Sequence, residues 1–344
     1  NPHIQEDLEA LDKMPVPGDC CSLIRLGLRY LDAGLLPLPA AYLGVTEPCD
    51  GIIGVHEALR THPEWRGVPS FGIDVPYWDD EHAVDYVAGQ LRRMVEFITK
   101  HTGKTLDINR LREVVTESNE QYRLWQEYNE LRRSKPSPHN YVLAQACFLM
   151  TNFEGAGRPD HTVWFRELVA DAERRVRLNQ PEVPSQRIRV LWFDLQPIYF
   201  DLIAPWLEQE WGASVVMDMV SYCPYKLIDT STEESMFRGL ARRLISDPPM
   251  IRQARGLADN FLADINRIVR DYQIDCVIWP GHIGHKDGAA SVSLMRELCR
   301  DMNVPFLHVG MDQFDRRYTS PELIKERVSH FFTATGLGDG RTRG

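Results

Sequence analysis

At 344 residues and a net charge of −10, the chain exceeds one ordinary core of roughly 100–200 residues and lacks the cationic excess that nucleic-acid binding requires. A hydrophobic content of 43% beside 26% charged residues is that of a globular protein, and no apolar run approaches the roughly 18–20 residues that span a bilayer. Seven cysteines without an export signal argue against a disulfide framework, for buried thiols or ligands to a soft metal centre, and for a cytoplasmic location.

The chain starts with an acidic, amphipathic stretch that Val16-Pro17-Gly18-Asp19 breaks before Cys20-Cys21-Ser22. Leu23, Leu26, Tyr30 and Leu31 then recur at helical spacing, which puts Cys21 near a helix N-terminus. Unpaired N–H groups and partial positive charge there favour a thiolate and metal ligation; the plainer reading is an N-cap region with two buried thiols. Ala41 to Val45 reads as a strand, and Thr46-Glu47-Pro48-Cys49-Asp50-Gly51 sets a second cysteine at the mouth of the next helix. Ser70 to Val75 is the next strand, closing an N-terminal α/β lobe over residues 1–78.

Residues 79–178 form a helical segment. Asp79 to His101 carries Val84, Val87, Leu91, Met94, Val95 and Ile98 on one face. Asp107 to Arg133, Tyr141 to Asn152 and His161 to Leu178 follow, with charges on solvated faces. Residues 179–186, polar and proline-containing, are a linker. Residues 187–333 make a C-terminal α/β lobe, and 334–344 a tail. Its strands are Arg187–Phe193, Ala213–Val220, Cys276–Trp279 and Val304–Val309; its helices include Pro197–Trp211, Ser231–Ser246, Pro249–Tyr272 and Ser320–Phe332. The alternation predicts an α/β fold of two lobes with parallel sheets flanked by helices, a helical segment lying between them. No GxGxxG follows a strand and no GxxxxGK[ST] occurs, so the usual dinucleotide and NTP sites are missing.

The segment Cys276 to Gly288, CVIWPGHIGHKDG, is a strand entering a loop with His282, His285, Lys286 and Asp287, with helical spacing past Gly288. Such βα turns are where open α/β sheets place ligands, and two imidazoles with an ammonium suit metal, acyl or phosphate chemistry. A polar loop that happens to hold two histidines is the alternative, and an HxxH zinc site lacks further ligands. Cys147, Cys276 and Cys299 fall on apolar faces as core thiols, and Trp279, Phe306 and the Trp192-Phe193 pair read as core strand residues.

Several pieces stand in one order from about residue 19 to residue 333. They are CSLIR at Cys21–Arg25, Pro48-Cys49-Asp50, Gly72-Ile73-Asp74-Val75-Pro76, Asp85 to Leu91, and Thr102-Gly103-Lys104 before Leu106-Asp107. Ser118-Asn119-Glu120, the DCVIW strand and Asp312 with Ile324-Lys325-Glu326-Arg327-Val328 complete the set. Together they resemble a catalytic-component subunit of the 2-hydroxyacyl-CoA dehydratase and benzoyl-CoA reductase family. The resemblance implies a pseudo-twofold heterodimer with a related cluster-bearing subunit. It also implies a [4Fe–4S] cluster held in each subunit by three cysteines, with one iron open to a non-protein ligand or substrate. A separate ATP-hydrolysing iron–sulfur activator would deliver low-potential electrons.

Cys21 and Cys49 match two of the three cysteine positions; at the third stands His285. A neutral imidazole in place of a thiolate removes a negative charge and raises the potential in Rieske-type centres, the opposite of what ketyl formation or ring reduction needs. Three accounts stay open. His285 ligates a cluster that relays electrons, which is the preferred one. Or the cluster is left to Cys21, Cys49 and another group, Cys223 being nearest by context. Or the cluster is lost, and His282 and His285 give protons beside the partner's cluster. An arginine-rich, lysine-poor composition and the histidines favour reductive dearomatisation of benzoyl-CoA or a similar aromatic acyl-CoA. The alternatives are radical dehydration of a 2-hydroxyacyl-CoA through a ketyl and a cluster-free scaffold subunit. Arg316, Arg317 and Tyr318, after the last strand, either meet CoA phosphates or lie on a solvated loop.

Overall fold

The fold, from a computed structural model, is described for residues 3–13, 16–48, 50–254 and 258–339. Two helices, α1 (Ile4–Leu11) and α2 (Ser22–Asp32), pack through Leu8, Leu11 and Leu26. β1 (Tyr42–Val45), α3 (Asp50–Thr61) and β2 (Ser70–Ile73) form a small βαβ unit, its strands parallel with Tyr42 opposite Ser70 and Val45 opposite Ile73.

α4 (Glu81–Thr102) starts at Asp80, whose carboxylate accepts the Ala83 N–H at 2.8 Å, and stops at Gly103 in the left-handed conformation. Its Val84, Val87 and Leu91 stripe meets Phe237, Ala241 and Ile245. α5 (Ile108–Leu131), capped by Asp107, is followed by α6 (Tyr141–Leu149) and α7 (Pro159–Leu178), with Trp125, Tyr128, Cys147 and Phe165 in their shared core. The α-helix expected to run to Asn152 widens after Leu149 into a π-helical turn, Met150–Glu154. There Thr151 Oγ1 and Asn152 Nδ2 reach back to the carbonyls of Cys147 and Phe148, competing with the regular ladder.

Beyond Asn179 come β3 (Ile188–Trp192), α8 (Ala204–Trp211), β4 (Ala213–Asp218), α9 (Glu233–Ser246), α10 (Asp259–Asp271), β5 (Cys276–Trp279), α11 (Lys286–Asp301), β6 (Phe306–His308) and α12 (Pro321–Thr335). The four strands form one parallel sheet in the order β4-β3-β5-β6. Every residue of β3, β4 and β5 is buried, as strands covered on both faces must be. Val190, Trp192 and Ile278 face Leu207, Ile324, Val328 and Phe332 on one side. Leu191, Phe193, Val277 and Trp279 face Ile265, Ile268, Met295 and Cys299 on the other.

The parallel α/β expectation is met; the differences are local. The helix expected from Pro197 opens as a 3₁₀ turn, Phe200–Leu202, before α8. Of the helix expected from Pro249, the described helical part is Asp259–Asp271; Met250 takes a left-handed conformation (φ 69°), which breaks the run after Pro249, and Ile251 to Ala254 lie in turns. α11 starts at Lys286, ahead of Gly288, so Lys286 and Asp287 belong to its first turn, where an acidic residue complements the helix dipole. Cys147, Cys276 and Cys299 are fully buried, as core thiols should be, and burial pushes the Cys299 thiol up to about 12. Among the described residues no helix is long and apolar enough to cross a membrane.

Candidate functional site

Because β3 and β5 are neighbours and run in parallel, their C-terminal ends deliver Asp194 and the Pro280–His285 loop to the same edge of the sheet. That edge is the ligand position of open α/β sheets. The loop is pinned to the segment after β6: His282 bridges Met311, Ile283 N–H donates to the Met311 carbonyl at 3.0 Å, and Met311 N–H to that of Gly281 at 3.1 Å. Asp194, only 2% exposed, stands behind it. Its Oδ1 accepts the Leu195 N–H and lies 2.7 Å from His285 Nδ1, while Oδ2 accepts the His282 N–H at 3.4 Å.

Cys21, the N-cap of α2, comes against this loop from the N-terminal part of the chain. A Cβ on Gly284 would lie 2.5 Å from Cys21 Cβ and 2.6 Å from its Cα, so the approach requires a glycine. His282 Nε2 lies 3.2 Å from Cys21 Sγ. The other ring nitrogen, Nδ1, is 3.2 Å from the backbone N of Gln313, which can only donate. Nδ1 is therefore the acceptor, and the ring proton sits on Nε2, where it donates to the sulfur.

The two imidazoles differ. Burial, with His285 adding to it, lowers the His282 pKa below its ordinary value. Burial opposes charge on His285 too, but the Asp194 carboxylate outweighs it and the His285 pKa ends above its ordinary value. Their centroids are 4.9 Å apart, edge to face. One imidazole is committed to a sulfur and a backbone amide, the other to a carboxylate.

A cavity of about 150 Å³ opens here, its wall including Cys21, Ile24, Pro48, Leu195, Met219 and His285. Pro48 immediately precedes Cys49, which lies outside the described residues. Among those described, no three His, Cys, Asp or Glu side chains gather as a metal-holding group. Two donors of the right chemistry do share this wall. The Cys21 sulfur is one; the other is His285, which with Nδ1 held by Asp194 has Nε2 left for a ligand. A sulfur and an imidazole are donor types that iron–sulfur sites use.

Other candidates lie elsewhere. Cys223 is buried in the helical core with Tyr122, Trp125 and Tyr225 and is not part of the cavity wall that carries Cys21 and His285. Arg317 pairs with Asp315 at 2.7 Å and Asp12 at 2.6 Å, tying the loop after β6 to the end of α1. The Arg316 guanidinium lies over the Tyr199 ring at 5.2 Å, and Tyr318 is exposed. Asp194 escaped the reading of the sequence; its one signal there was an acid just past an apolar strand.

The sequence model of the family described as 2-hydroxyglutaryl-CoA dehydratase, D-component, matches residues 3–333. The chain belongs to this family. It is similar to the (R)-phenyllactyl-CoA dehydratase alpha subunit of Clostridium sporogenes, 21% identical over 349 residues that cover 94% of this chain and 79% of that protein. It is also similar to the lactoyl-CoA dehydratase subunit alpha of Anaerotignum propionicum, 24% identical over 156 residues, 39% of this chain and 36% of that one. Cys21, Asp194, His282 and His285 all fall within the span matched by the dehydratase family.

Proposed function

We propose that this chain is a subunit of an enzyme that removes water from a 2-hydroxyacyl-CoA thioester. The observation that carries this reading is the dehydratase-family match across residues 3–333. Both relatives are named dehydratases, which favours this reaction over the reductive dearomatisation of benzoyl-CoA suggested by composition. A second point weighs the same way. His282, offered as a proton donor to a reduced ring, has Nε2 on Cys21 and Nδ1 on the Gln313 amide.

In this reading Cys21 and His285, with Cys49, hold a [4Fe–4S] cluster at the sheet edge. When bound, such a cluster supplies single-electron transfer. The chain's own residues hold and shield it: Asp194 stands behind the His285 ring, His282 donates to the Cys21 sulfur, and Ile24, Leu195 and Met219 keep water from the wall. A related cluster-bearing subunit and an ATP-dependent iron–sulfur activator belong to the proposal as partners.

The test is anaerobic reconstitution with partner and activator, following formation of the 2-enoyl-CoA product. Dehydration of a 2-hydroxyacyl-CoA with benzoyl-CoA untouched is expected. Reduction of benzoyl-CoA without any dehydration would overturn the proposal, and a chain purified anaerobically without iron would leave the scaffold alternative.

A further inference from the structure

We propose that Asp194 is the positioning residue that turns His285, and not His282, into the iron-directed imidazole. The inference rests on the reading above in which His285 ligates iron; Asp194 itself touches neither iron nor substrate.

The two histidines share one loop three residues apart, and their spacing alone does not distinguish them. Their partners do. A carboxylate only accepts, so the short contact from Asp194 Oδ1 places the His285 proton on Nδ1 and leaves Nε2 as the nitrogen for a ligand. A backbone amide only donates, so Gln313 N–H places the His282 proton on Nε2, directed at the Cys21 sulfur. His282 is therefore a donor toward sulfur, whereas His285, once Nε2 has given up any proton to bind metal, is a donor of a lone pair. The arrangement behind His285 is that of carboxylate–histidine–metal triads, in which the outer carboxylate fixes both tautomer and ring direction.

Asp194 is itself held in place. Main-chain N–H groups of Leu195 and His282 fix its two oxygens, one each, on a residue that is nearly fully buried. The carboxylate thus offers His285 an acceptor whose direction is set by the backbone at the ends of two adjacent strands. A buried carboxylate without a partner is strongly disfavoured, and His285 is the side chain that supplies one.

The experiment is a chelator challenge on the anaerobically purified complex, with iron loss to a ferrous chelator measured for wild type, Asp194→Asn, His285→Cys, the double variant and His285→Ala. In Asp194→Asn the amide NH₂ can donate to Nδ1 and drive the proton onto Nε2. Iron should then be lost about 10–100-fold more readily, the usual effect of removing an outer-shell partner. The histidine nitrogen coupling in the electron paramagnetic resonance spectrum should weaken with it. A thiolate at 285 needs no such partner, so in the His285→Cys background Asp194→Asn should change nothing. Equal acceleration in both backgrounds would make Asp194 merely structural and overturn the proposal. Wild-type retention in Asp194→Asn beside iron loss in His285→Ala would overturn it while sparing ligation by His285. Full iron and an unchanged spectrum in His285→Ala would remove ligation and this inference together. Asp194→Ser, read in the same two backgrounds, keeps the test decisive should Asp194→Asn not fold.

Discussion

Gly284→Ala is the sharpest probe of how closely the two ends of the chain meet. The added Cβ would fall 2.5 Å from Cys21 Cβ, 2.6 Å from Cα and 3.0 Å from N, all at or next to the backbone of the α2 N-cap. Carbon atoms settle at about 3.5–4.0 Å, so the loop or the helix must retreat by about 1 Å. Neither yields easily, since the loop is bonded to Met311 and to Asp194. Overpacking of this kind costs about 1–3 kcal/mol. Urea denaturation followed by circular dichroism should show that loss, with the Cys21–His282 contact stretched and iron held less firmly. Gly27→Ala is the control: it lies within α2, a Cβ there meets nothing within 4 Å, and it should gain up to about 1 kcal/mol from helix propensity. A Gly284→Ala protein as stable as wild type would refute the close approach.

Other consequences concern separate parts of the fold. Burial raises the Asp247 carboxyl to about 7 against the pull of Arg243, so its folded pKa lies above its unfolded one. Its contribution is present in full below about pH 4 and is lost as pH rises through 7, a decline of roughly 4 kcal/mol. Asp247→Asn should flatten the stability profile across that window; an unchanged slope would count against the assignment. His282→Leu takes away the acceptor of the half-buried Gln313 N–H and should lower stability by about 1–3 kcal/mol, read from the denaturation midpoint. Arg317→Ala should loosen α1 on the loop after β6, where Gln5 and Phe314 still hold it, so limited proteolysis would cut the N-terminal segment faster; an unaltered digestion pattern would show the pair to be incidental.

Much of this architecture is written in local patterns. The Val84, Val87, Leu91 stripe and the apolar Cys276–Trp279 run declare a helix and a buried strand because side-chain period follows backbone geometry. Cys21 at a helix N-terminus was legible for the same reason. What stayed hidden depends on contacts between distant parts of the chain. Asp194 lies 91 residues before His285, and only the pairing of β3 with β5 joins them. The opposite tautomers of His282 and His285 are set by partners on other segments, so an HxxH spacing does not carry them. Gly284 reads as an ordinary loop glycine until Cys21 is placed against it. Helix starts were the local failure: Lys286 and Asp287 look like loop residues, yet they form the first turn of α11.

The measurement that bears most directly on the site is pulsed electron paramagnetic resonance on the reduced complex, grown with ¹⁵N-histidine and purified without oxygen. A [4Fe–4S] signal with one histidine nitrogen coupling, abolished in His285→Cys and kept in His282→Leu, is the predicted result. A cluster with no histidine coupling, or no iron in the chain at all, would contradict it.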